Sequence, residues 1–255
     1  MTWNPDLYNE YKEVRYKPFY DLMTLIQPRE SIKGVDLGCG TGEQTAILAQ
    51  KLDAASFLGI DSSPKMLEQS VAFQRDNLHF SLQPIEAVVD SNEHYDLVFS
   101  NAALQWVDNH ELLFPQIIRL LTSGGQLAIQ MPTQNENLLH RILMEMVEEE
   151  PYLSFLAHFR RISPVLSMDD YARILFDHEM VNINISQKVY PVIAKDTETL
   201  YRFISGTSLL PYLERLQGEH KEHFINEFKH RIAQHFKKYP AIYAFKRILI
   251  YGCKL

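Results

Sequence analysis

Short apolar runs alternate with longer stretches whose apolar positions recur every three to four residues through the first half of the chain, a pattern of strands alternating with helices. It predicts strands at Gly34–Leu37, Phe57–Asp61, Leu78–Leu82, Tyr95–Ser100 and Gln126–Met131. Between them it predicts a helix at Thr41–Leu52 with Ala46, Leu48, Ala49 and Leu52 inward. Lys65–Arg75, begun by Ser63-Pro64, and Glu111–Leu121 are helices too. Ser123-Gly124-Gly125 reads as the turn into the fifth strand, and Tyr8–Ile26 as an amphipathic helix broken at Pro18. Such alternation requires right-handed crossovers and a mainly parallel sheet, so ligands are expected at the carboxyl ends of its strands.

After Pro132 the pattern changes. Asn135–Glu150 is predicted helical and Pro151–Pro164 irregular and rich in aromatics; a helix at Ser167–His178 has Ser167 as its cap, with Asp169 and Asp170 in its first turn. Val181–Val192 alternates as a strand does, Thr197–Ser205 and Gly218–Lys238 read as helices, and Ile242–Cys253 as a final strand. No repeat or flexible linker interrupts the chain.

Composition narrows the class. The 255 residues are 46% hydrophobic and 22% charged, enough for a full α/β domain with an elaboration. The formal net charge of −7 argues against nucleic acid as a partner, and the scattered basic residues of Lys229–Lys238 read as a solvated helix face. Two cysteines, Cys39 and Cys253, make no disulfide framework and fit a reducing compartment. The N-terminus lacks a signal-peptide pattern and no apolar run approaches a membrane span, so a cytoplasmic protein is expected. The histidines are scattered without a metal-like arrangement, and no metal is expected.

The densest chemical signal is Asp36-Leu37-Gly38-Cys39-Gly40-Thr41-Gly42, running from a strand into a helix, with Asp61 closing the next strand. Glycines at alternate positions allow a tight turn and close approach of a ligand. A carboxylate at a strand end can accept both hydroxyl hydrogens of a ribose. The spacing is neither the dinucleotide G-x-G-x-x-G nor a P-loop, which sets NAD and ATP aside; the plain alternative is a strand-to-helix turn that holds nothing. The segment resembles motif I of the class I S-adenosylmethionine-dependent methyltransferases, with Asp61 at their ribose position.

A narrower resemblance follows. Asn101-Ala102-Ala103-Leu104-Gln105-Trp106-Val107, the opening Trp3-Asn4-Pro5-Asp6-Leu7-Tyr8 with Arg15, Pro18 and Asp21-Leu22, Ala128-Ile129-Gln130-Met131-Pro132, and Gly206-Thr207-Ser208-Leu209-Leu210-Pro211-Tyr212-Leu213 are similar to the trans-aconitate 2-methyltransferase family. These segments span nearly the whole chain. The resemblance implies a Rossmann-like seven-stranded sheet, mainly parallel with an antiparallel last strand. It further implies one domain, with a helical segment at 1–30 contributing to the substrate site. Residues 133–240 would form a mostly helical cover carrying one sheet strand near 181–192.

It also implies S-adenosyl-L-methionine as cofactor, leaving as S-adenosyl-L-homocysteine, with Asp36, Gly38, Cys39, Gly40 and Gly42 around its methionine part, Asp61 on ribose and Ser62 and Met66 beside adenine. Pro84 stands where family members usually have an acidic residue for the adenine amino group, which leaves backbone contacts there together with Gln83. Asn101 is expected near the cofactor's amino acid portion, and Gln105 and Trp106 between cofactor and substrate.

The implied reaction asks little of the protein. A carboxylate is already ionised at neutral pH and attacks the sulfonium methyl without a general base. A small polycarboxylic acid such as trans-aconitate also needs its other charges matched, best by guanidinium groups. Arg15 is the first candidate and Arg160 or Arg161 the second; the plain reading of Arg15 is a surface ion pair with Glu10 or Glu13. Trp106 reads equally well as core, and His110 as a helix start or a carboxylate's partner; Tyr212 is a further candidate for the substrate, and with Tyr152, Phe155 and Phe159 it lines an apolar cover or is ordinary core. Other classes stay open: another acceptor, such as a malonyl group on a carrier protein or a quinone precursor, or a non-catalytic cofactor-binding module.

Overall fold

The computed structural model describes residues 12–52 and 55–255. They fall into two compact units, one formed by Pro18–Pro132, Pro164–Lys188 and Arg247–Leu255, the other by residues up to Lys17 with Thr133–Ser163 and Val189–Lys246. The opening motif Trp3–Tyr8 and Glu10 lie outside the described residues.

The first unit is built on the sheet. The sheet's strands are β1 (Lys33–Leu37), β2 (Ser56–Asp61), β3 (Leu78–Leu82), β4 (Tyr95–Asn101), β5 (Leu121–Pro132), β6 (Met180–Ala194) and β7 (Ala241–Lys254), in the order β3-β2-β1-β4-β5-β7-β6; β6 from Val189 on and β7 up to Lys246 are counted with the second unit. Parallel pairing holds from β3 through β5. β7 then runs antiparallel to β5, with Gln130 opposite Leu249 and Pro132 opposite Arg247. The order turns back between β1 and β4, so the connections leaving their carboxyl ends pass to opposite faces of the sheet, the place where a fold of this kind takes its ligand.

Alternation along the central strands feeds two cores. On one face Val35, Val98, Ile129 and Ile250 pack with Phe114, Ile117 and Tyr171; on the other Phe99, Ala128 and Tyr251 pack with Phe19, Leu22, Leu48 and Ala49. Burial on both faces is why the strands read as continuous apolar runs. Ser167 caps the helix Met168–Asp177 by accepting from the Asp170 N–H at 3.1 Å, as the sequence predicts.

The second unit has a core of its own. Leu139, Leu143 and Met146 of the helix Leu138–Val147 meet Leu200 and Ile204 of Thr197–Ser205 and Phe224, Phe228 and Ile232 of Gly218–His235. Arg231 fastens it with paired bonds of 3.1 and 2.7 Å to Glu149 and one of 2.8 Å to Glu227. Of residues 133–240, Thr133–Ser163 and those from Val189 on fall in this unit, and Pro164–Lys188 falls in the first.

Several local expectations are corrected. Pro18 does not break its helix, which runs from Lys12 to Met23. Proline costs a helix one backbone bond, and complete burial of Phe19 and Leu22 just beyond it offsets the loss. Gly124-Gly125 are not a turn before β5 but lie within it. There the chain advances five residues, from Leu121 to Gln126, against two on β4, from Tyr95 to Leu97, and Gly124 at φ +73° turns this excursion within the strand. The helix starting at Ser63-Pro64 is shorter than expected, Pro64–Ser70, and passes into a 3₁₀ turn. A short helix at Ile85–Val89 follows Pro84 unannounced. Among the described residues no helix is long and apolar enough to cross a membrane.

Candidate functional site

The loop leaving β1 is held from three directions. Gly38 and Cys39 donate their N–H groups to the Ile60 carbonyl at 2.9 and 2.8 Å, tying the loop to the end of β2. From that same strand end the Asp61 carboxylate accepts the Gly40 N–H at 2.9 Å on Oδ2 and the Ser63 N–H at 2.8 Å on Oδ1. Each oxygen keeps a further lone pair for a hydroxyl. Below the loop, Asp36 accepts the Thr45 hydroxyl at 2.6 Å, joining β1 to the helix Glu43–Lys51. Full burial pushes the Asp36 carboxyl up to about 7 against the lowering bond from Thr45, and the nearby charge of Asp61 adds to the rise. Burial also raises the Cys39 thiol far above its ordinary value.

Gly38, Gly40 and Gly42 have φ of +81°, +57° and +76°, a region open to glycine and strained for other residues. Their missing side chains do more than admit a ligand. A Cβ on Gly38 would sit 2.2 Å from the Ala103 methyl, and one on Gly42 would sit 2.7 Å from the Phe80 ring. Gly40 has only the flexible Met66 methyl within reach, at 3.2 Å. Internal packing thus uses the space at Gly38 and Gly42, which motif spacing cannot tell from room for a ligand.

Ser62 is exposed and Met66 half-buried at the start of Pro64–Ser70, where Ser63 caps the Met66 N–H. The Gln83 N–H donates to the Asp61 carbonyl at 3.1 Å, and the Pro84 carbonyl accepts from Ala87 as its helix begins. Asn101 closes β4 and donates Nδ2 to Gln44 Oε1 at 2.8 Å, leaving Asn101 Oδ1 and Gln44 Nε2 buried without hydrogen-bond partners. Gln105 is buried and donates to the Ala102 carbonyl at 2.7 Å, whereas Trp106 is 41% exposed and so is not core.

His110 opens its helix and is engaged on both nitrogens. The Tyr171 hydroxyl already accepts from the Leu166 N–H, so its proton is directed to His110 Nδ1 at 2.5 Å, and Nε2 donates to the Leu104 carbonyl at 2.9 Å. Burial holds this imidazole below its ordinary value, hence neutral. No three His, Cys, Asp or Glu side chains gather as a metal site would need among the described residues.

The remaining expected residues lie in the second unit. Arg15 is 9% exposed and donates Nη2 to the Phe203 carbonyl at 3.1 Å; Glu10 and the side chain of Glu13, its expected ion-pair partners, lie outside the described part of the chain. Arg160 is exposed and paired with Glu148 at 3.2 Å; the Arg161 N–H donates to the Tyr212 hydroxyl at 3.0 Å. Tyr212 is itself core, its ring packed near Phe159 and Phe224. Motif reading passes over Gln44 and gives Gln130 no role, although the residue stands within the segment Ala128–Pro132 that carries the family resemblance.

Buried amide atoms without partners, on glycine-rich backbone beside a strand-end carboxylate, fit a nucleoside carrying an amino acid tail. A family model described as a methyltransferase domain matches residues 29–197. The trans-aconitate 2-methyltransferase of Deinococcus radiodurans is 40% identical over 98% of this chain and 97% of its own. That of Variovorax paradoxus is 31% identical over 98% and 95%. Among solved structures, the YcgJ protein of Bacillus subtilis superposes with a TM-score of 0.61 at 15% identity, covering 94% of this chain and 98% of that one. Geranyl diphosphate C-methyltransferase from Streptomyces coelicolor, in complex with S-adenosyl-L-homocysteine, gives 0.57 at 17% identity over 98% and 82%. These two likenesses establish the fold, and the full-length relatives establish the family. The chain belongs to the class I S-adenosylmethionine-dependent methyltransferases, within the family of the trans-aconitate 2-methyltransferases.

Proposed function

We propose that this enzyme methyl-esterifies a carboxylate of a small organic acid, with trans-aconitate the first substrate to test. The observation that carries the reading is the state of the titratable groups around the glycine loop. Asp36 is spent on Thr45, Asp61 on two backbone N–H groups, and His110 on Tyr171 and Leu104, while burial keeps the Cys39 thiol protonated. None is placed to strip a proton from an acceptor, and a carboxylate is the oxygen nucleophile that needs no such help at neutral pH. The 40% identity to a trans-aconitate 2-methyltransferase supports the same choice.

S-adenosylmethionine supplies a sulfonium methyl, which passes to a carboxylate oxygen as the carbon–sulfur electron pair returns to sulfur and no proton moves. The chain's own contribution is placement. Asp61 would receive the ribose hydroxyls on its spare lone pairs, with Ser62, Met66, Gln83 and Pro84 around the adenine; Asn101 and Gln44 would meet the amino acid tail with their open amide atoms. Alignment of the reacting atoms at roughly 3 to 3.5 Å in a site freed of water supplies the rate. Gln105 and Trp106 are assigned to the substrate, together with Arg15 and then Arg160 or Arg161 for its spare charges; Tyr212 is assigned to shaping that part of the chain.

The test is incubation with S-adenosylmethionine and a panel of small mono-, di- and tricarboxylic acids, following S-adenosylhomocysteine release and ester formation. Turnover on a polycarboxylate supports the reading. Tight cofactor binding with no turnover on any acid sinks it and turns attention to carrier-bound or phenolic acceptors.

A further inference from the structure

The sheet face that carries Phe19, Phe99 and Ala128 ends in a polar row. Asn101 on β4 and Gln130 on β5 are registered partners. Across the antiparallel join Gln130 faces Leu249 and Pro132 faces Arg247, so Arg247 is the diagonal neighbour of Gln130, about 7–8 Å away between backbones. Alternation puts the three on one face, since Phe99, Ala128 and Leu249, each two residues from one of them, share one core, whereas Val98, Ile129 and Ile248 belong to the opposite one. Gln44 joins the row from its helix through Asn101.

Two glutamines on β5 make the contrast. Gln126, on the same face and equally buried, is satisfied: its Oε1 accepts from the Gln27 N–H at 2.7 Å and the Tyr251 hydroxyl at 2.8 Å, and its Nε2 donates to the Gln27 carbonyl at 2.8 Å. Gln130 is 0% exposed, and both its amide atoms lack partners. A buried amide left unmatched is destabilising, and a ligand group that pairs with it removes that cost. Beside it Arg247 is a guanidinium only 7% exposed, already engaged within the protein, whose planar fork matches a carboxylate.

We propose that Arg247 and Gln130 form the seat for a carboxylate of the acceptor acid other than the one methylated. Arg247 supplies the charge and the paired donors, and the Gln130 Nε2 adds a third. This rests on the carboxylate reading given above. The source of the carboxylate is the acceptor and not the cofactor's own tail, because β7 stands three strands from β1, about 14 Å across the sheet, while the glycine loop leaves β1.

Calorimetric titration of trans-aconitate into the protein saturated with S-adenosylhomocysteine tests the seat independently of turnover. Arg247→Gln is expected to weaken the acid about 30-fold or more, and Arg247→Lys, which keeps charge but loses the fork, about 5- to 10-fold. Affinity for S-adenosylhomocysteine should stay within about threefold of wild type, and a monocarboxylic acid should not distinguish Arg247→Gln from wild type. Unchanged trans-aconitate binding in Arg247→Gln overturns this seat alone. A parallel loss of S-adenosylhomocysteine binding overturns it too, and gives the row to the cofactor. Acid binding absent already in wild type overturns the ester-forming reading along with the seat. Should Arg247→Gln not fold, Gln130→Leu carries the test: about tenfold weaker acid binding is expected, and wild-type binding there overturns the proposal.

Discussion

The Asp61 carboxylate holds the Gly40 N–H at 2.9 Å, so the residue proposed to receive the ribose also fixes the loop it faces. Its other oxygen holds the Ser63 N–H at 2.8 Å and with it the entry to the next helix. Hydrogen bonds to an ionised group contribute about 1.5–3 kcal/mol each. Asp61→Ala should therefore weaken S-adenosylmethionine by about 100-fold or more and lower the melting temperature even without ligand, whereas Asp61→Asn, which keeps one acceptor oxygen, should do about a tenth of that damage. Calorimetry beside thermal unfolding checks both, and an apo melting temperature unmoved by Asp61→Ala would show that the carboxylate does not hold the loop.

Gly38 and Ala103 make a second coupling. A methyl on Gly38 meets the Ala103 methyl at 2.2 Å and must also adopt φ +81°. Gly38→Ala should cost about 2–4 kcal/mol from strain and overpacking together. Adding Ala103→Gly removes the clash and not the backbone strain, so the double variant should recover roughly half of the lost stability in urea unfolding. Purely additive losses would mean that loop and post-β4 segment do not press on each other.

Much of this was legible in the sequence because the relevant signals are local. β2 and β3 fall within a residue of their apolar runs, and Ser167 caps its helix from sequence spacing alone. Pro18 misleads because the local penalty is plain and the burial of Phe19 and Leu22 that offsets it is tertiary. Ile85–Val89 is too short to show a period. The space beside Gly38 and Gly42 is taken by Ala103 and by Phe80 with Ser70, all distant in sequence, and no spacing rule reports that. The same limit hid Gln44 and Gln130. An amide becomes noticeable only once its neighbours are known to leave it unmatched.

Asp36 should make stability fall as pH rises. Its folded value is about 7 against 3.8 for the free side chain, so between these the folded chain binds a proton that the unfolded chain has lost. The contribution is fully present below pH about 4 and is lost as pH rises through about 7, with an upper bound of about 4 kcal/mol. Asp36→Asn retains an acceptor for Thr45 and removes the titration. In denaturant unfolding at pH 5 and pH 8 it should gain on wild type at the higher pH; parallel pH profiles would contradict the assignment.

Arg15 carries a separate expectation. Its guanidinium donates to the Phe203 carbonyl at 3.1 Å and lies over the Phe203 ring, so removing it loosens the chain there whatever its part in substrate binding. Arg15→Gln should raise the KM for a polycarboxylic acid about 10- to 100-fold with kcat changed much less, the mark of lost uniform binding. An unchanged KM in a folded variant removes Arg15 from the substrate's partners and leaves it a structural residue.

His110 separates catalysis with a base from catalysis without one. Its neutral ring accepts from Tyr171 and donates to Leu104, so His110→Phe should cost about 1–3 kcal/mol in stability by leaving those two groups unmatched. Its folded value lies below the ordinary 6.5, so the stability it contributes is present above pH 6.5 and is lost as pH falls through that lower value. Turnover is another matter. Corrected for folded fraction, His110→Phe should keep kcat within a few-fold on a carboxylate acceptor, because no proton is taken in that transfer; general base catalysis contributes about 100- to 10,000-fold. A fall of that size at unchanged cofactor affinity would make His110 a base after all and the acceptor something other than a carboxylate.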